Sequence, residues 1–235
     1  MKPVIGILGG MGPRATVAFE RLLIAQINGA DQDIPTIITI NDGGIPDRSQ
    51  FISGYGPDPV PQLQRNLDML EQMGATVICL PCNTAAAPII RDRLRTFSSR
   101  LLDLPQLTGD ELVTAGVSRI FILGTAGTIE AETYQKVCRE RGIKYLLPDF
   151  RCQKLTDKLI NAIKCQDMPA ANFLAQKIMR RVRLSSCESV LLGCTELSLV
   201  KDQLVPPNCL AIDTIAILAD ACVSYSQNHI QGETF

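Results

Sequence analysis

The chain has 235 residues, 46% hydrophobic and 20% charged, which supplies a buried core and excludes wholesale disorder. Lys and Arg number 23 against 24 Asp and Glu, so the basic surplus of a nucleic-acid binder is absent and no nucleic-acid partner is expected. One histidine, His229, excludes a multi-histidine metal site and argues against a Cys–His or Ser–His catalytic pair.

The apolar run Val4-Ile5-Gly6-Ile7-Leu8 reads as a buried strand. It is followed by the turn Gly9-Gly10-Met11-Gly12-Pro13 and an amphipathic helix over 15–28, with Pro13 suited to the helix start. Residues 34–40 form a second expected strand, and a helix over 63–73 ends at Gly74. Residues 76–80 form a third strand, with a helix expected from Asn83. Repeated strand, turn and helix predict an α/β protein with parallel sheets flanked by helices.

The pattern then recurs. The stretch from Arg119 to Thr128 echoes Val4 to Gly12, and Glu188 to Glu196 echoes Ala75 to Thr84. The intervals agree: 73 residues separate Gly9 from Cys82, and 70 separate Gly124 from Cys194. Two similar lobes related by a pseudo-twofold axis are expected, with the active site in the cleft between them. The break at Asp103 to Thr108 sets the first lobe at 1–105 and the second at 106–207; after Pro206-Pro207, residues 208–235 return to the first.

Nine cysteines lie between Cys79 and Cys222. Met1-Lys2-Pro3 leads directly into the first strand without a secretory pattern, and no apolar run nears the roughly 18 residues of a membrane span. A cytoplasmic protein with reduced thiols and no membrane partner is expected. Cys82 and Cys194 each follow a strand, where open α/β sheets bind ligands. Each also precedes an expected helix, whose amides and dipole lower a thiol pKa. Two such thiols across one cleft suit proton removal from one face of a carbon and return to the other, the requirement for inverting a stereocentre without a cofactor.

Competing readings are weaker. Gly10 to Ala15 fits the dinucleotide pattern G-x-G-x-x-A, but the acid that would bind ribose, Asp42, comes about 30 residues on rather than about 20. The stretch is read as a tight turn. Cys79-Leu-Pro-Cys82 has redox spacing, yet Cys79 falls inside an apolar strand and reads as core. No second C-x-x-C completes a zinc site. The runs Arg91–Arg95 and Arg180–Arg183 read as solvated helix faces, and His229 as an exposed tail residue.

Ile5-Gly-Ile-Leu-Gly-Gly-Met-Gly-Pro-Arg-Ala-Thr16, Ile45-Pro-Asp-Arg48, Pro81-Cys-Asn-Thr-Ala85 and Leu192-Gly-Cys-Thr-Glu-Leu197 occur in one order over nearly the whole chain. Together they resemble the PLP-independent aspartate/glutamate racemase family, most closely its aspartate racemases. The resemblance implies an isomerase that uses neither PLP nor metal, forms homodimers and takes aspartate as its small-molecule substrate. Racemisation of glutamate or a related substrate, or dicarboxylate binding with impaired catalysis, is the alternative. It also implies that Cys82 and Cys194 are the acid/base pair, that Arg48 holds a substrate carboxylate and that Lys164 is a second cationic contact. Met11, Asn83, Thr84, Thr125, Thr128 and Thr195 would surround the substrate, and Glu196 would orient or tune Cys194. Family members commonly carry His four residues after the first cysteine, where this chain has Ala86. That departure bears on proton transfer at Cys82 and on substrate choice.

Overall fold

A computed structural model of the chain describes residues 3–95 and 98–230, with the backbone alone for 228–230. The side chain of His229 lies outside the described residues. The first half runs β1 (Val4–Gly9), α1 (Pro13–Gln26), β2 (Thr36–Asn41), α2 (Arg48–Ile52), α3 (Val60–Gln72), β3 (Val77–Cys79), α4 (Pro88–Arg91) and β4 (Arg100–Leu101). Then α5 (Leu104–Thr114) leads to β5 (Arg119–Gly124), α6 (Ala126–Glu130), α7 (Thr133–Glu140), β6 (Lys144–Leu146), α8 (Phe150–Lys164) and α9 (Met168–Leu184). The chain ends with β7 (Ser189–Gly193), a 3₁₀ turn over Thr195–Val200, α10 (Lys201–Leu204), β8 (Leu210–Asp213) and α11 (Thr214–Ile230).

Two parallel sheets result, in the orders β2-β1-β3-β4 and β6-β5-β7-β8. The repeat seen in the sequence is thus a repeat of topology. Gly9 pairs with Asn41 at the end of β1, and Gly124 with Gly193 at the end of β5.

Strands covered on both faces are continuously apolar, as β1 is throughout and β5 and β7 are after their first residues, Arg119 and Ser189. Alternation then divides their side chains. Ile5, Ile7 and Val77 join Phe19, Leu23 and Leu218 on one face, while Leu8 and Ile78 join Leu63, Leu67 and Leu70 on the other. In the second sheet Leu123, Val190 and Leu192 pack with Leu159 and Ile178, whereas Ile120, Ile122 and Leu191 pack with Tyr134 and Leu112.

Three expectations change. No helix starts at Asn83: residues 83–87 form turns, because Pro88 disfavours helical backbone at Ala87, which is extended at φ −61°, ψ 140°. The helix expected over 15–28 begins at Pro13 and stops at Gln26. Leu210–Asp213 pairs with β7, so the return toward the first sheet, set at residue 208 in the sequence, starts at Thr214. The prolines precede one more strand rather than the crossing. No helix among the described residues is long and apolar enough to cross a membrane.

Candidate active site

The loops after β1, β3, β5 and β7 meet between the lobes. Cys82, Cys194, Met11, Arg48, Asn83, Thr84, Thr125, Lys164, Thr195 and Glu196 line one narrow cavity there, joined by Asp47 and Ser49. Its free volume of about 20 Å³ holds one water molecule. Of the expected residues only Thr128 is not on the wall, and it stands directly behind: the hydroxyls of Thr84, Thr125 and Thr128 form a triangle with all three separations 3.0 Å. Thr84 belongs to one lobe and the other two belong to the second.

Arg48 opens α2, whose N-cap Asp47 accepts from the Gln50 amide at 2.9 Å. The Arg48 side chain is buried. Its Nη1 donates to the carbonyls of Pro46 (3.0 Å) and Ile45 (3.3 Å), and Nη2 donates to the carbonyl of Met11 (3.1 Å). Nε has no partner. Three carbonyls therefore fix the guanidinium while its Nε edge stays available to an acceptor; an unmet buried donor costs roughly 1–3 kcal/mol, which a carboxylate there would relieve. Lys164 ends α8 and brings a second cation. Its carbonyl accepts from Arg14 Nη1 at 2.8 Å across the cleft, and the turn beyond it requires Gln166 to adopt a left-handed φ of 62°.

Cys194 Sγ donates to Glu196 Oε2 at 3.0 Å. Burial pushes this thiol well above its ordinary pKa, and the Glu196 charge and hydrogen bond push the same way; Lys164 opposes them. The expected thiolate-favouring helix start is therefore overturned at Cys194. A 3₁₀ turn of six residues follows it, and a full negative charge in contact outweighs the partial charge of so short an element. Cys82 is buried as well, followed by turns in which its carbonyl accepts from the Ala86 amide at 3.1 Å. Thr195 Oγ1 donates to the Pro81 carbonyl at 2.9 Å, tying the two cysteine loops together. Gly12 lets the first loop approach this centre: a Cβ there would lie 3.3 Å from Glu196 Oε1.

Asn83 accepts at Oδ1 from the Tyr134 hydroxyl, while its Nδ2 is buried without a partner. Burial raises the Tyr134 pKa, keeping the phenol a donor. Ser49 was not singled out by sequence; it lies one residue beyond the Ile45–Arg48 stretch. Asp47 as the N-cap puts Ser49 in the same first turn as Arg48, which is the signal that could have found it. Gly127 faces it across the lobes, where a Cβ would come within 2.7 Å of Ser49 Cα.

The residues set aside also have places. Ala86 belongs to the apolar cluster beneath α1 and α11 and does not line the cavity, so the departure from the family pattern falls behind the site. Cys79 lies in that same cluster, and burial pushes its thiol up, whereas Cys82 belongs to the cluster on the other face of the sheet. The Asp42 carboxylate accepts from Asn66 (2.7 Å), from the Gly44 amide (2.8 Å) and from Gln62, which occupies it internally rather than presenting it to a ribose. All nine cysteines are free thiols, and among the described residues no group of three or more His, Cys, Asp or Glu could hold a metal ion.

The sequence pattern of the family described as Asp/Glu/Hydantoin racemase matches residues 8–222. The broad specificity amino-acid racemase RacX of Bacillus subtilis is 29% identical over 230 residues, covering 94% of this chain and 97% of that protein. The structure of Picrophilus torridus aspartate racemase superposes with a TM-score of 0.85 at 28% identity, covering 96% of this chain and 94% of that one. Glutamate racemase RacE1 of Bacillus anthracis shares the fold alone: TM-score 0.70, 17% identity, 97% of this chain and 82% of that one.

Proposed function

The chain belongs to the Asp/Glu/hydantoin racemase family, and from that premise we propose that it interconverts L- and D-aspartate by transferring protons between two cysteines, without a cofactor. The observation carrying the reading is that two buried thiols, at equivalent points of two topological repeats, share one cavity with two cationic side chains. Support for aspartate comes from the likeness to the Picrophilus enzyme and from Arg48 and Lys164, which suit a dicarboxylate.

In this mechanism the Nε edge of Arg48 takes one carboxylate and the Lys164 ammonium the other. A thiolate removes the α-proton: the Cα–H bond breaks, an S–H bond forms, and the electron pair remains on carbon, delocalised into the α-carboxylate. The opposite thiol then gives its proton to the other face of Cα, completing inversion and leaving the sulfurs with exchanged protonation. Its raised pKa makes Cys194 the protonated partner when Cys82 is the base, and a strong base in the reverse direction. Asn83 Nδ2, buried without a partner, is a donor toward the charge that develops, in a space that admits almost no water. The homodimer implied by the resemblance is part of the reading, and light scattering on the purified chain tests it.

The test is incubation with L-aspartate and L-glutamate in D₂O under reducing conditions without PLP, following the α-proton by NMR and the enantiomer ratio by chiral chromatography. Exchange with inversion of aspartate is expected, with racemisation abolished in Cys82→Ala and in Cys194→Ala. Full activity in both single variants, or exchange without inversion in the wild type, overturns the two-base mechanism.

A further inference from the structure

A space that holds one water is smaller than any amino acid, so a substrate occupies it together with whatever space adjoins it. A second cavity of about 550 Å³ adjoins the first, and the two share Met11, Asp47, Arg48, Lys164 and Glu196 as common wall. Arg48 and Lys164 thus face both cavities. The volume of the second falls within the range of small-molecule pockets. Beyond the shared wall the lining is largely apolar: Pro13 and Ile45 from the first lobe, and Ile163, Met168 and Leu199 from the second. A dicarboxylate held by two cations at the inner end makes no use of such a chamber.

Resting on the racemase reading, we infer that this chamber receives the substrate's side chain and that the chain also racemises amino acids with extended apolar side chains, of the methionine, leucine and phenylalanine class. Arg48 grips the α-carboxylate of these substrates as it does that of aspartate. Among the described residues the Lys164 ammonium makes no hydrogen bond or ion pair, so its flexible stem can turn aside and lie along the apolar chain. Met11 and Met168 adapt to side chains of different shape. Ile163 and Leu199 form the wall that distinguishes a long side chain from a short one.

The experiment compares racemisation of L-aspartate, L-methionine, L-leucine and L-phenylalanine by the wild type, Met168→Trp and Leu199→Trp. The Met168 and Leu199 side chains are partly solvent-exposed (39% and 49%), so the larger ring is accommodated without disturbing the core, and the two variants check each other. The wild type is expected to invert the apolar amino acids. Each variant is expected to lose about tenfold or more in kcat/KM for them while changing less than about twofold for aspartate. Turnover of aspartate with none of the apolar amino acids overturns this inference and leaves the racemase reading standing. Equal losses on all four substrates in both variants also overturn it. Silence with every amino acid removes the racemase reading, and this inference with it.

Discussion

Cys194 owes its high proton affinity first to burial and then to the Glu196 carboxylate 3.0 Å away. Removing the charge makes the thiolate easier to form, so Glu196→Gln shifts the pH profile of iodoacetamide labelling at Cys194 to lower pH, read by mass spectrometry of its peptide. An unchanged profile would assign the effect to burial alone. Thr128 is fully buried and shares its hydroxyl with Thr84 and Thr125. Thr128→Val keeps the shape and removes two contacts of the triangle while Thr84 and Thr125 still bond each other, a loss of about 1 kcal/mol in denaturant unfolding. Asp42 is held below the usual carboxylate range by Asn66, Gln62 and the Gly44 amide. Its contribution is full above that range and is lost as pH falls through its own lower pKa. In Asp42→Asn the acid limb of the stability–pH curve therefore flattens, which urea midpoints measured below about pH 5 would show. The cysteines themselves were legible because Cys194 directly follows an apolar strand and Cys82 lies three residues past the end of another. The sign of the Cys194 perturbation was not, since it depends on a carboxylate two residues along and on burial that only the fold creates.

Among the elements, α2 is the one whose position the proposed mechanism depends on. It carries Arg48 and rests against α6, where Gly127 meets Ser49 with no room for a methyl group. Gly127→Ala pushes α2 away and Arg48 with it. Substrate KM is expected to rise about tenfold or more, with a smaller fall in kcat, because misplacement by about an ångström is enough to forfeit such a contact. Steady-state kinetics on aspartate decides it; an unchanged KM would show that Arg48 does not depend on this packing. Gly10 is equally constrained, at φ 95° with the Asp42 backbone 2.1 Å from any added Cβ. The glycines around Met11 were visible in the sequence as a tight turn, but the contact between Gly127 and Ser49 joins residues far apart in the chain and has no local signature. Pro88 is the opposite case. Its restriction on Ala87 was available from the sequence, and it turns an expected helix into the turns that bring Asn83 and Thr84 to the cavity.

For the molecule as a whole, α11 begins where β8 of the second sheet ends and packs Ile215, Leu218, Ala219 and Cys222 against the first sheet's core. Truncating the fully buried Leu218 to Ala should cost about 2–5 kcal/mol. Because one helix serves both lobes, calorimetry should still show a single transition, with protection of the β7 amides falling alongside that of β1; two separated transitions would mean the lobes unfold independently. The duplicated strand–cysteine pattern made the two-lobed architecture legible, since topology repeats when sequence does. The repeat extends to the crossing helices: α5 follows β4 and places Leu112 in the second sheet's core, as α11 follows β8 and packs on the first. What the repeat does not encode is the greater length of α11.

The arrangement also has a mechanical meaning. On one side of the molecule the lobes are joined by α5 and by the apolar face of α11. On the other they meet through hydroxyls, a carbonyl accepting from Arg14, and Thr195 reaching Pro81. Polar contacts of this kind exchange readily for water, whereas buried apolar ones do not. The molecule thus has a greasy spine and a wettable fore-edge. A cavity that holds a single water can admit a molecule several times larger by parting along that edge, with both cores left closed and the strain taken up at α5 and at the start of α11.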